Sequence, residues 1–448
     1  MQKFLYKQEI NKTLSLATPI VIAQLGVVMM GVSDDIIVGK LLGKTALGAA
    51  GIALSIAFLI GSVFVGGISA VAPLVSKAQA EQNPAEIKHL FVASTWSALI
   101  FSILLGVIGY ITVQYFEIFE QTPAITAMAK PFLWIIVISH IPLFLFVAFK
   151  QVSDGLGHTR VAMLVTIAGI VFNIVFNYVL ILGKFGFPAL GVNGAAYSTL
   201  ITRALMALIL YNYLLKNHRF DTIFKQEIHF ERVKALVIQI SKLMFGGLQF
   251  AFEVAAFSFG IIMMGWLGED QLAAHQIVIN LASLTYMMAS GLGFGSGIRV
   301  GEGRGLQDVH KIRVSGNVAF LLVTLFMSAC MLIMIVFKEP LVTLYISDPD
   351  VLLIATQLII VAAIFQVSDG VQVVAAGILR GLSDVNIPTI ITLFAYWGVA
   401  LPLGYYLGFI QKMGGVGIWL GFLAGLTASA VMLSSRFYYL LKKMKTTY

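Results

Sequence analysis

Charge is scarce in this sequence: 11% of its 448 residues are Asp, Glu, Lys or Arg, while 59% are hydrophobic. An ordinary soluble domain carries about 25% charged residues, so a soluble chain of this length is excluded. Cysteine is scarcer still. The single Cys330 lies in an apolar run, which rules out an intrachain disulfide and, with only scattered histidines, a Cys/His metal cluster. No GxxxxGK[ST] motif is present, and the glycine-rich run at 291–297 (GLGFGSG) ends an apolar segment without following a strand. Neither fits a phosphate cradle, which argues against ATP as a driving force, and no cofactor is expected. Alternating strand patterns are missing too. With 42 glycines against 11 prolines, the composition fits helices packed through small residues rather than a β-barrel. The amino-terminal MQKFLYKQEINK is polar and basic, but no small-residue cleavage site follows it, so the first apolar run is read as a retained start helix.

Long apolar runs are what the chain has in abundance. Twelve are long enough to cross a bilayer, roughly 13–38, 46–74, 90–114, 131–149, 161–182, 192–215, 240–266, 273–298, 314–337, 351–376, 387–410 and 415–441. The expected fold is therefore an all-α polytopic membrane protein with both termini on one side. Basic residues choose that side. Lys40, Lys44, Lys130, Lys184, Lys338 and Lys412 fall in the opposite loops, whereas the others, Arg203 excepted, run from Lys3 to Lys445 on the side of the termini. The asymmetry places both termini in the cytoplasm. It also accounts for the net charge of +8 without nucleic acid as a partner.

The two halves resemble each other. A shift of 225 matches Ser33, Ile36, Ile37, Leu42, Gly43, Leu47, Ala49 and Ile52 to Ser258, Ile261, Ile262, Leu267, Gly268, Leu272, Ala274 and Ile277. Similar shifts pair Gly155-Leu156 with Gly381-Leu382 and Gly191-Val192 with Gly415-Val416. Between the halves lies the longest charged stretch. The expected organisation is a six-helix lobe at 1–215, a cytoplasmic interlobe linker at 216–239 and a second, pseudo-symmetric six-helix lobe at 240–448. Parallel repeats of this kind mark transporters, with a site near mid-membrane. The pentapeptide QVSDG occurs at 151–155 and again at 366–370, out of register with the repeat, and is read as coincidence with Asp154 in a cytoplasmic loop.

Carboxylates inside apolar helices are expensive and mark function by default. Asp369 sits in the middle of the tenth segment. Glu253 lies about 12 residues, or about 18 Å of helix, from the charged linker, too far to reach the surface easily. The plain alternative for each is an acid held by an amide for packing. Two acids with a few neutral oxygens suit Na⁺, and the same pair sharing one proton suits H⁺. Asp34 and Asp35 lie late in the first segment, where a solvated helix end is the competing reading. Asn173 and Asn177, four residues apart on one helical face, offer amides to Asp34. Gln276 and Asn280 are further polar candidates on the eighth segment. Pro19 and Gly31 are candidate hinges of the first. Arg203, deep in the sixth, is expected to pair with Asp34 or Asp35 or to line a wet cavity, and His140 is expected to be structural. Among many aromatics, Phe250, Phe257, Tyr286, Phe365 and Trp397 are the candidates for holding a flat organic cation by ring-face attraction.

The motifs MMGVSDD in the first segment, AAHQIVIN at 273–280, IRVGEGRG at 298–305 and DGVQVVAAGILRG at 369–381 closely resemble the multidrug and toxic compound extrusion (MATE) family, in its NorM-like bacterial branch. The resemblance covers essentially the whole chain. It implies a V-shaped pair of six-helix bundles in a bacterial inner membrane, exporting cationic drugs in exchange for Na⁺ or H⁺. By motif it places Asp34 as the first-helix acid, Glu253 and Asp369 as the acids of the second lobe tied to cation binding, and Asn173 and Asn177 in the polar cluster of the first. Phe365 departs from the pattern, which has a tyrosine there, as do Asp35 and Arg203. The archaeal and DinF-like branches differ at Asn177, where they carry an aspartate.

The function expected is a secondary multidrug antiporter working by alternating access, as a monomer, with organic cations as substrates, membrane lipid around it and no enzymatic activity. A lipid or lipid-linked precursor flippase of the same general fold is the alternative; its cavity wants basic residues, whereas the deep charges here are mostly acidic. An intramembrane aspartyl protease is a distant third, because no GxGD-like motif precedes Asp369.

Overall fold

The computed structural model describes the backbone of residues 2–346 and 348–447 and the side chains of 6–346 and 348–444; Lys3 and Lys445 lie outside the described side chains. Helices account for nearly all of it, and no strand occurs among the described residues. In chain order they are α1 (Gln2–Leu42), α2 (Lys44–Ile68), α3 (Val71–Ala80), α4 (Pro84–Gln114), α5 (Pro123–Gly155), α6 (Thr159–Leu182), α7 (Val192–Lys216), α8 (Asp221–Phe224) and α9 (Phe230–Leu243). There follow α10 (Phe245–Trp266), α11 (Glu269–Gly305), α12 (Val309–Val336), α13 (Lys338–Thr343), α14 (Pro349–Gly381), α15 (Asn386–Leu393), α16 (Leu401–Tyr405) and α17 (Gly414–Thr447).

Among the described residues, twelve spans are long and apolar enough to cross a membrane, as expected. Several run well past their apolar stretches: the first occupies Tyr6–Leu42 where hydrophobicity marked 13–38. At four other helices polar caps explain the early start. Asn83, Thr122, Asp308 and Asp348 each accept a backbone N–H at the first turn of α4, α5, α12 and α14, and proline follows three of them at the first helical position. The span at 386–410 is irregular, with π-type turns at 394–400 and 406–410 on either side of α16. The internal repeat is visible in the helices. α5 and α14 are both 33 residues long, begin with proline after a capping side chain and stop at a Gly-Leu.

The helices group into two compact units: Ile22–Gly247, and Met1–Val21 together with Leu248–Tyr448. This grouping departs from the division at 215 and 239 in two places, each with a physical cause. The first half of α1 packs on the carboxy-terminal helices. There Arg299 donates to both oxygens of the buried Glu9, at 2.8 and 2.5 Å, and Ser315 donates to the same carboxylate at 2.7 Å. Gly295 and Gly291 of α11 leave room for the backbone of Ala17 and Val21; a Cβ at Gly291 would lie 2.8 Å from Val21 Cα. The segment after α7 is not a bare linker. It folds into α8 and α9 and is tied to α4: Lys88 donates to the carbonyls of Phe224 (2.8 Å) and Gln226, and Arg232 forms a two-pronged ion pair with Glu86. His229 N–H donates to His89 Nε2 at 3.1 Å.

In the unit carrying the carboxy terminus, α14 packs between α11 and α17, so its middle is shielded on two sides. Gly377 lies directly on the backbone of Gly293, an approach that any side chain would forbid. In the other unit α5 holds the corresponding position against α2, α4 and α7. Asp154 is not in a loop but in the last turn of α5, buried, with Lys150 Nζ 2.7 Å from its Oδ2.

Candidate functional site

Asp34 lies late in α1, and the unit Ile22–Gly247 builds a polar cluster around it. Its Oδ1 accepts from Asn177 Nδ2 at 2.5 Å and its Oδ2 from Thr199 Oγ1 at 3.3 Å. Asn177 and Asn173 are fully buried, one turn apart on α6, with Asn177 Nδ2 also 3.3 Å from Asn173 Oδ1. Asn173 in turn donates to Ser198 Oγ, which donates back to the Asn173 carbonyl at 2.9 Å. Asparagines sit here because an apolar helix face would leave the carboxylate without donors. Arg203 is close enough for its charge to act on Asp34, but its guanidinium donates to Ser139 Oγ at 2.6 Å and makes no ion pair with either aspartate. Asp35 is exposed.

The second cluster is in the other unit. Glu253 on α10 and Asp369 on α14 are buried, at 6% and 2% exposure, and near enough for their charges to interact. Tyr396 and Gln372 are the neighbouring polar side chains that act on the Glu253 carboxyl. The two are themselves linked: Gln372 Nε2 donates to Tyr396 Oη at 3.1 Å. Tyr286 of α11 also lies within electrostatic reach of both acids. No basic side chain acts on either carboxyl among the described residues. Two acids are thus confined together with neutral oxygens and no counter-charge.

A family model described as MatE matches residues 19–179 and 247–406, most of the chain and both units. The chain belongs to this family. Curated relatives agree over nearly the full length. The multidrug resistance protein NorM of Photobacterium profundum is 33% identical over 96% of this chain and 95% of its own. The NorM of Vibrio cholerae is 32% identical, covering 98% and 97%. The multidrug resistance protein MdtK of Yersinia pseudotuberculosis is 33% identical, covering 99% and 98%. Among solved structures, a multidrug resistance MATE family transporter in the outward-facing conformation superposes with a TM-score of 0.86 at 16% identity, covering 98% of this chain and 97% of that one. The Vibrio cholerae MATE transporter VcmN in its bent form gives 0.85 at 16%, covering 98% and 99%. The NorM-like MATE assignment and the twelve-helix fold expected from the motifs are thus established, and the protein is a multi-pass membrane protein of a transporter family.

The remaining candidates divide. Phe257 and Phe365 join the acid cluster as packing. The Phe257 ring centroid lies 6.2 Å from that of Phe365, 5.8 Å from Tyr396 and 4.8 Å from Phe422, closing one side of the site. Trp397 is half exposed and pinned to α10, its Nε1–H donating to the Phe252 carbonyl at 3.2 Å. Phe250 is half-buried on α10. Gln276 and Asn280 are exposed on α11 and are not among the groups facing either acid. Pro19 is buried two residues before the boundary between the units, and Gly31 is exposed with open space around it; α1 is helical through both. His140 is structural, with Nδ1 2.8 Å from the Ile136 carbonyl and Phe144 packed on its ring.

Three partners escaped the sequence reading. Gln372 was legible, since it lies three residues after Asp369 on the same helical face. Thr199 had a weaker signal, one turn before Arg203. Tyr396 had none as a site residue, because only the tertiary fold brings 394–400 to α10.

Proposed function

We propose that this chain is a secondary antiporter that exports organic, mostly cationic compounds across a bacterial inner membrane in exchange for an inward-moving Na⁺ or H⁺. The observation that carries the reading is the uncompensated pair Glu253 and Asp369. Buried acids without a basic partner are held at a cost that a cation relieves when it binds. The cation is cargo, and the groups present fit it. Two carboxylates, the Tyr396 hydroxyl and the Gln372 amide are hard oxygen donors of the kind Na⁺ accepts, and the same two acids can instead share one proton. Tyr396 also supplies, from another helix, the hydroxyl that Phe365 lacks. Asp34, with its amide and hydroxyl partners, is a second place for a cation in the other unit. The names of the relatives, multidrug resistance proteins NorM and MdtK, agree with drug export.

In this scheme the cation shifts the protein between two arrangements only through its different affinity for each, and drug release follows from that shift. Both termini lie in the cytoplasm, and the working unit is a monomer without a prosthetic group. Acidic clusters of this kind disfavour a lipid-linked phosphate, which leaves the flippase reading without support in the site. The test is transport of a fluorescent cationic dye in vesicles holding the protein, with a Na⁺ gradient and a pH gradient imposed separately. Dye movement driven by one of them supports antiport; movement under neither overturns it.

A further inference from the structure

The AAHQIVIN motif supplies α11 with a histidine that the acid cluster does not use. His275 is fully buried, and neither its Nδ1 nor its Nε2 has a hydrogen-bond partner among the described residues. The ring facing it is Trp419 of α17, with centroids 5.6 Å apart, and the Trp419 Nε1–H is buried and partnerless too. A buried polar group without a partner is costly, and folded proteins meet such groups with ordered water. Three orphan nitrogens on two neighbouring rings therefore make a polar site separate from the acid cluster.

Its position is informative. One turn toward the Glu269 end of α11, Gln271 Oε1 accepts the backbone N–H of Gly415 at 3.1 Å, so a polar rung lies between His275 and that end of the unit. In the other direction Trp419 packs on Phe365 at 5.5 Å, and Phe365 meets Phe257, which touches Tyr396 beside Glu253. Next to Phe365 in sequence, Gln366 is fully buried with its Nε2 unpartnered, three residues before Asp369 on α14. The orphaned nitrogens of His275 and Trp419 thus lie at one end of this chain of rings, and the Gln366 amide lies nearer the carboxyl pair along α14. α11 packs against α12, α14 and α17, and no titratable side chain acts on His275 among the described residues.

The geometry points to His275 as a proton relay, with its ring and the Trp419 indole N–H holding water on the path by which a proton reaches Glu253 and Asp369. The step balances. A hydronium from the bulk gives its proton to the unprotonated ring nitrogen and becomes water, and the opposite N–H releases a proton to the next water toward the acids. The ring is left in its other tautomer and resets by turning over. This rests on the antiport reading and names its coupling ion as H⁺.

The test uses the full-length protein in vesicles, a fluorescent cationic dye, and a pH or a Na⁺ gradient. For His275→Asn, which keeps polarity without the second nitrogen, pH-driven dye efflux is expected to slow by about 100-fold, with dye binding unchanged. Trp419→Phe, which keeps the packing and removes the N–H, is expected to slow it by about 10-fold. In ¹⁵N-imidazole spectra of the wild type, the His275 N–H is expected to exchange with water. A wild type driven only by Na⁺, a variant with unchanged pH-driven efflux, an equal loss of dye binding, or a His275 N–H shielded from water would each overturn the relay. Should dye move under neither gradient, the antiport reading fails and the exchange measurement still decides whether His275 is wet. If His275→Asn does not fold, His275→Gln takes its place with the same expectations.

Discussion

Glu9 and Arg299, 290 residues apart in sequence, meet through two hydrogen bonds of 2.8 and 2.5 Å, and both are buried. Arg299 is also paired with Glu302, whose other oxygen takes Lys311 Nζ at 2.6 Å. This network fastens the first half of α1 to α11 and α12. Removing one member strands a buried charge, which costs about 3–5 kcal/mol. Arg299→Met and Glu9→Leu are therefore each expected to lower the thermal unfolding temperature sharply, and the double variant to recover much of the loss. Equal losses that simply add would contradict the pairing.

Asp369→Asn and Glu253→Gln are expected to abolish cation-driven dye efflux in vesicles while leaving expression and folding intact. Stability should not fall, because each change removes a buried charge that has no basic partner. Drug resistance retained in cells expressing Asp369→Asn would contradict this.

Asn177→Leu removes a donor from Asp34 while adding apolar volume on the α6 face. The expected cost is about 1–3 kcal/mol of stability, from a carboxylate that loses its shortest hydrogen bond and keeps only Asn173 and Thr199 beside it. Asp34→Asn in the same background should restore part of it. Unfolding of the two variants and their combination measures the coupling.

The Arg232–Glu86 ion pair that ties α9 to α4 is on the surface, with the arginine side chain 52% exposed. Solvent screens such a pair, so Arg232→Ala is expected to change stability by less than about 1 kcal/mol. Lys88→Met should cost more, since it leaves the carbonyls of Phe224 and Gln226 without their shared donor. Comparing the two in one unfolding assay separates charge from carbonyl capping.

His158 lies in the turn between α5 and α6, with Tyr213 Oη 3.2 Å from its Nδ1 and Phe220 packed edge-on. Burial, aided by the charge of Arg219, holds its imidazole below the usual histidine range. A depressed value means that the folded state resists the proton which the unfolded chain accepts. The stability it contributes is thus complete above about pH 6.5 and is lost as the pH falls from there through the folded value. His158→Gln is expected to flatten that part of the stability profile measured between pH 7 and 5.

Much of this molecule could be read before it was seen. The twelve spans follow from apolar run length alone, and buried acids in a bilayer helix point to themselves because their cost is so high. Asn173 and Asn177 were legible from four-residue spacing. What stayed hidden depends on contacts between distant segments. The allegiance of residues 1–21 rests on Glu9 finding Arg299, and nothing local in MQKFLYKQEINK announces that. The segment after α7 read as a charged connector because its apolar face is short, yet Val233, Leu236 and Ile240 are buried, which makes α9 a packed helix. Asp154 was misplaced because hydrophobicity ends a helix too early when the last turn carries a buried ion pair. The supposed bond between Arg203 and Asp34 failed for a related reason, since sequence cannot reveal a nearer hydroxyl such as Ser139.

The π-type turn at 394–400 decides where Tyr396 ends up. An ordinary α-helix advances about 100° for each residue, so closing that wide turn by one residue would swing everything beyond it by that angle. The partner of Glu253 is held in place by a local irregularity in its own backbone, and shortening the span by a single amino acid there would misalign the hydroxyl without touching either carboxylate.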